Sequence, residues 1–191
     1  MTRFVHRIAP RDIEHGGSAS AEIKRELRAA GVSAYDARRA GIVAFEGEMN
    51  LMVHSTRGGT IEVDLRPGVI EVVVEDDGPG ISDVDLALTP GFSTAPDWAT
   101  ELGFGAGMGL PNMQRNSDGF EIHSQPGRGT RVRCRIEREP HPASPETPPS
   151  STSGADVEKA ACEREPWEPD WAQDLGVGGA HGQTPETKEG A

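Results

Sequence analysis

The chain has 191 residues and a formal net charge of −12, with 35% hydrophobic and 5% aromatic residues, 24 glycines and 15 prolines. That is lean for a fully packed chain of this length and predicts one ordinary domain plus a stretch that never packs. Residues 1–140 carry 16 Lys and Arg against 21 Asp and Glu, and residues 141–191 carry 3 against 10. With no dense basic cluster, binding to nucleic acid or to an anionic membrane is not expected.

Phe4 to Ile8 reads as a first strand. Ser18 or Ser20 is placed to cap a helix running to Ala30, with Gly31 as its stop. Ser33 begins a second, longer helix, with Asp36 in the first turn favouring the N-terminal dipole. Its body, AYDARRAGIVAFEGEMNLMVH, is rich in apolar residues and is expected to be largely buried. TIEVDL (60–65) and VIEVVV (69–74) are β-branched runs joined by Arg66-Pro67-Gly68, a hairpin signal. Residues 76–109 are punctuated by glycine, with a short helix expected at 83–88. Leu110 to Asn116 reads as a helix. FEIHS and TRVRCRIE, joined by QPGRG, read as a second hairpin in which Cys134 is a small buried side chain. This order predicts an α+β layer, with helices on one face of a mixed sheet.

Composition changes near Pro140, and eight of the fifteen prolines lie from there onward. Residues 140–191 read as an acidic Pro/Ser/Gly-rich disordered tail, following a domain at 1–139. Within the tail, Trp167, Trp171 and Leu175 fall four apart, the spacing of one helical face, although Pro166 and Pro169 limit any helix there. The only other cysteine, Cys162, reads as a free thiol. The chain has no C-x-x-C, no His at zinc spacing, no apolar run near the roughly 20 residues of a membrane span, and no secretory stretch at its start. Cytoplasm is the expected compartment.

Three stretches carry the chemistry. Glu46, Asn50 and His54 are spaced by four and form one polar stripe on an otherwise apolar helix. A carboxylate with an amide oxygen one turn away is a hard-oxygen pair suited to Mg²⁺, and Glu46 can also act as a general base. By itself the stripe reads more readily as a solvated face or as an end of a core helix. Glu48 lies off it and is expected to be exposed. VVVEDDGPGIS places Asp76 and Asp77 between a strand end and the tight turn Gly78-Pro79-Gly80. A carboxylate there can accept a hydrogen bond from a ligand amine; an acidic turn is the plain alternative. GFGAGMGLPN sets Gly103, Gly105, Gly107 and Gly109 ahead of a helix, where backbone N–H groups and the helix dipole can receive phosphate. It follows no strand and lacks G-K-[ST], so neither the dinucleotide fingerprint nor the P-loop fits, and a flexible loop is the alternative.

Together and in this order, these stretches resemble the Bergerat-fold ATP-binding domain of DNA gyrase B, the 90-kDa heat-shock chaperone, histidine kinases and MutL. Glu46-x-x-x-Asn50-x-x-x-His54 resembles the N box, Asp76-x-Gly78-x-Gly80 the G1 box, and Gly105-x-Gly107-x-Gly109 the G2 box. Thr130 in GRGT resembles the Gly-Thr that ends the pocket. The resemblance spans about residues 4–138 and implies a two-layer α+β sandwich. It is strongest to the serine kinases among bacterial anti-sigma and switch proteins, through GFGAGMGLPNMQRNSDGFEIHSQPGRGTRVRCRIE. A histidine kinase needs an upstream helix with a phosphoacceptor His. Gyrase, MutL and the chaperone need a following transducer domain. The sequence offers neither, and the small switch kinases are the expected relatives.

The resemblance implies ATP and Mg²⁺ as ligands. Glu46 would be the general base and Asn50 the Mg²⁺ ligand. Asp76 would bond the adenine amine, with Thr130 supporting it through water. Gly78 and Gly80 would shape the pocket, and Gly105, Gly107 and Gly109 would wrap the phosphates. His54 is expected to be structural, and residues near 90–106 to form a lid. The implied partner is a small regulatory protein, either an anti-sigma antagonist that is phosphorylated or a sigma factor that is bound without transfer. Relatives often pair as homodimers.

Overall fold

The alternation read from the sequence builds a five-stranded sheet. In the computed structural model, which describes residues 1–138, β1 (Thr2–Ile8), β2 (Gly59–Arg66), β3 (Val69–Asp76), β4 (Gly119–Gln125) and β5 (Gly129–Glu137) are ordered β1-β2-β3-β5-β4. The expected tail at 140–191, with its Trp167–Trp171–Leu175 stripe and Cys162, lies outside the described residues.

Every strand pairing is antiparallel, so the sheet is not mixed as the sequence suggested. The connections explain this. The hairpins β2–β3 and β4–β5 are antiparallel by construction. Two helices in succession separate β1 from β2, which returns the chain to the end where it left and reverses the second strand. Between β3 and β4 the chain makes two short helices, α3 (Val84–Ala87) and α4 (Asp97–Glu101), and then α5 (Gly109–Arg115). The helix over 97–101 was not read from the sequence; it starts directly after Pro96.

One face of the sheet is the core. Ile61, Val63, Ile70, Val72, Cys134 and Ile136 alternate inward and are buried under α1 (Ser18–Ala29) and α2 (Ala34–His54). Burial pushes the Cys134 thiol up to about 12, so it stays protonated and unreactive. From the helices, Ile23, Leu27, Ala37, Ala40, Val43 and Leu51 complete the layer. Gly47 lets α2 approach the sheet, because a Cβ there would lie 2.5 Å from Val74 Cγ2. No helix among the described residues is long and apolar enough to cross a membrane.

The helix starts divide into one expected cap and one correction. Ser33 caps α2 as read, its Oγ accepting the Asp36 N–H at 3.0 Å. For α1 the N-cap is Gly17, and neither Ser18 nor Ser20 caps through its side chain; Ser20 Oγ instead donates to the Gly17 carbonyl at 2.9 Å. The orphan N–H groups of α1 go to Glu48 of α2, whose carboxylate accepts from Ala19 at 3.2 Å and Ser20 at 3.0 Å. Glu48 is therefore fully buried, contrary to the exposed position expected for it. A helix N-terminus offers both free N–H donors and partial positive charge, and this offsets the burial of a carboxylate.

Candidate functional site

The buried helix α2 carries the first half of the site. Glu46 and Asn50, one turn apart, are half-buried on the side that faces α5, while His54 ends the helix in an exposed position. Asn112 Nδ2 donates to Glu46 Oε1 at 2.7 Å. Gly109, the first residue of α5, lies beside both N-box residues: a Cβ there would sit 3.1 Å from Asn50 Oδ1 and 3.5 Å from Glu46 Oε2. Burial pushes the Glu46 carboxyl above its ordinary range, and the Asn112 hydrogen bond pulls it partly back. A carboxylate with one oxygen held and the other beside the side-chain-free Gly109 has the form of a general base. Asn50 Oδ1 beside it is a hard oxygen donor. Among the described residues no three His, Cys, Asp or Glu gather as a metal site. One amide oxygen beside one carboxylate suits an ion that draws most of its ligands from water and phosphate, as Mg²⁺ does.

The second half lies at the end of β3. Asp76 pairs in register with Thr130 at the start of β5. Asp76 Oδ1 accepts the Gly78 N–H at 2.7 Å. Burial raises the Asp76 carboxyl, the Gly78 bond lowers it, and neighbouring Asp77 raises it again, leaving it above the usual range. Thr130 Oγ1 is 2.8 Å from Ser124 Oγ, which also accepts the Ile81 N–H at 2.7 Å. Gly80 packs on the backbone of Gln125, and the Gly127 N–H donates to the Pro79 carbonyl at 2.8 Å. The turn holding Gly78 and Gly80 is thus stitched to the β4–β5 hairpin. The two halves meet through the end of α2, because a Cβ on Gly78 would lie 3.3 Å from Ser55 Oγ.

The glycine run divides. Gly107 has φ +70°, its carbonyl accepts the Gly91 N–H at 3.0 Å, and a Cβ there would come within 2.5 Å of the Gly91 and Phe92 backbone. Gly105 packs on Ala95. These two glycines therefore lie against the stretch 91–95 rather than standing open, and Gly109 alone borders Glu46 and Asn50. Residues 89–106 are fastened at the other side by Trp98, with the Arg11 guanidinium 5.8 Å from its ring centroid. Phe92 and Leu102 on this stretch are exposed.

Three residues of the site escaped the sequence reading. Asn112 is 7% exposed and faces Glu46; its position one turn after Gly109 on the same helix was the available signal. Ser124 is the register partner of Thr130, which follows once the hairpin is drawn. Ser55, buried beside Gly78, had no signal beyond following the stripe.

A profile described as histidine kinase-, DNA gyrase B- and HSP90-like ATPase matches residues 35–140. The anti-sigma F factor of Heyndrickxia coagulans is 38% identical over 68 residues, covering 36% of this chain and 43% of that protein. The serine/threonine-protein kinase RsbT of Bacillus subtilis (strain 168) is 35% identical over 65 residues, covering 34% and 43%. A solved histidine kinase domain, from the blue-light activated histidine kinase of Erythrobacter litoralis EL346, aligns with a TM-score of 0.40 at 19% identity, over 64% of this chain and 60% of that one. The chain spans about half the length of the curated relatives it matches.

Proposed function

Because the chain belongs to the family of histidine kinase-, DNA gyrase B- and HSP90-like ATPases, we propose that it binds ATP with Mg²⁺ and acts as a protein serine/threonine kinase of the anti-sigma-regulator type. Its substrate in this reading is a hydroxyl on a small antagonist protein. The observation that carries the reading is the cluster of Glu46, Asn50 and Gly109 with Asn112 behind it. Similarity to an anti-sigma F factor and to a serine/threonine-protein kinase supports the class of partner.

Asp76 accepts a hydrogen bond from the adenine amine, and Thr130 with Ser124 supports that edge of the base. Gly78 and Gly80 keep the turn beneath it free of side chains. The loop ending at Gly109 receives the phosphates. Asn50 Oδ1 would hold Mg²⁺, which would neutralise phosphate charge. The partner's hydroxyl oxygen attacks the γ-phosphorus, its proton passes to Glu46 Oε2, and the bond to the β–γ bridging oxygen breaks to release ADP. Phosphoryl transfer requires mainly positioning and charge neutralisation, so this short set of groups is chemically sufficient.

Gly109→Ala tests the pocket. Its backbone suits alanine, but the new Cβ would crowd Asn50 Oδ1 at 3.1 Å and border Glu46 Oε2 at 3.5 Å. Mg-ATP affinity is expected to fall about tenfold or more, with a thermal melt near wild type; equal affinity by calorimetry would move the phosphates elsewhere. A chain cut after residue 139 is expected to keep full ATP affinity, and its failure to fold would move the domain boundary. The kinase itself is tested by incubating the purified protein and Mg-ATP with small antagonist proteins of the STAS type. Serine or threonine phosphorylation is the expected product, and no modification of any of them would sink the reading.

A second reading is an ATP-gated module that sequesters a sigma factor without transfer. The exposed Phe92 and Leu102, on the stretch packed against Gly105 and Gly107, favour it, since ordering that stretch around ATP would change the surface they offer. Partner affinity that does not respond to ATP would remove it.

A further inference from the structure

The hydrogen bond from Asn112 to Glu46 joins two parts of the site that are far apart in the chain. Asn112 lies on α5, the helix that opens at Gly109 where the glycine loop ends, and Glu46 lies in the middle of α2. The bond is 2.7 Å long, and Asn112 is buried while Glu46 is half-buried. A carboxylate has two equivalent oxygens and, on a long side chain, several rotamers. Only one arrangement serves a base, with the receiving oxygen facing the bound nucleotide. Here Oε1 is taken by Asn112, and Oε2 borders the side-chain-free surface of Gly109, next to Asn50 Oδ1.

We infer that Asn112 is the positioning residue of the site: it clamps Glu46 by Oε1 so that Oε2 alone faces the phosphate loop, and it makes the base's aim depend on the seating of α5. This rests on the reading of Glu46 as the base. Asn112 touches no substrate. It acts through Glu46 by fixing one rotamer and one oxygen, and through α5 it ties that rotamer to the segment that receives the phosphates. The seating of α5 and of the loop that ends at Gly109 therefore sets the aim of the base. The Asn112 backbone carbonyl accepts from Asn116 Nδ2 at 2.9 Å, while its side-chain amide donates to Glu46 at 2.7 Å.

The test is a double-mutant cycle on the purified full chain, with Mg-ATP as the probe and slow hydrolysis to ADP as the reaction. Asn112→Ala and the near-isosteric Asn112→Leu each remove the donor. Either change is expected to lower kcat roughly 10–100-fold and leave KM for ATP within about threefold, the loss typical of a hydrogen bond to a charged group. In a Glu46→Gln background the same substitutions are expected to change kcat less than about twofold, because the clamp then has no carboxylate to aim. A purely structural Asn112 would lower the rate equally in both backgrounds, and that additive result overturns the inference. So does an unchanged kcat in both single variants when they are folded and bind ATP. A parallel cycle of urea midpoints needs no activity. If wild type shows no Glu46-dependent hydrolysis, the kinase reading is judged by transfer to a protein partner; coupling in the urea cycle still supports the clamp, and its absence overturns it.

Discussion

Glu46→Gln is expected to reduce phosphoryl transfer by about 10²–10⁴-fold while leaving Mg-ATP affinity within about threefold of wild type. The substitution keeps the side chain's shape and an oxygen for Asn112, and removes only the ability to take a proton. Loss of affinity on the same scale as loss of rate would show that Glu46 serves binding rather than chemistry. The pH dependence follows from the environment of the carboxyl. Burial raises its pKa and the Asn112 bond offsets part of the rise, so Glu46 remains protonated, and idle as a base, at pH values where an exposed glutamate is already ionised. Transfer should accordingly increase as pH rises through this raised value, above that of an exposed glutamate. The increase should vanish in Glu46→Gln. A rate that stays flat down to the pH where exposed carboxylates protonate would contradict the assignment.

Glu48→Ala, two residues along the same helix, is expected to cost about 2–4 kcal/mol of folding stability with little direct effect on chemistry. It strands the buried Ala19 and Ser20 N–H groups and leaves a space between α1 and α2. Glu48→Gln should cost less, since its carbonyl can still accept one of the two bonds. The measurement is the urea midpoint at constant m-value. A midpoint unchanged in Glu48→Ala would mean that the start of α1 finds other acceptors.

These two glutamates also mark where sequence reading succeeded and where it stopped. Glu46 stands out because its neighbours at i+4 and i+8 are polar on an apolar helix, a periodic signal. Glu48 carries no such signal. Its partners are backbone N–H groups 28 and 29 residues away, and only the packing of α1 on α2 brings them within reach. For the same reason the cap of α1 was assigned to nearby serines, whereas the donors were satisfied from another helix. Ser33 was legible because its cap is local to the sequence. The strands were legible because β-branched residues alternate around Pro67-Gly68 and within GTRVRCRIE. Their all-antiparallel pairing was not, because it depends on how two helices return the chain. Asn112 followed the glycine run in plain view, yet nothing in GLPN says that its amide turns toward a residue 66 positions earlier. Gly105 and Gly107 show the reverse: the motif was legible, but its contact with residues 91–95 comes from the tertiary fold.

The most direct test of the account is a native lysate supplied with γ-labelled Mg-ATP and either the wild-type protein or Glu46→Gln, with equal ATP occupancy confirmed for both. A small protein labelled on serine or threonine with the wild type and unlabelled with the variant is the expected result. Equal labelling by both proteins, or none by either, would contradict Glu46-dependent transfer.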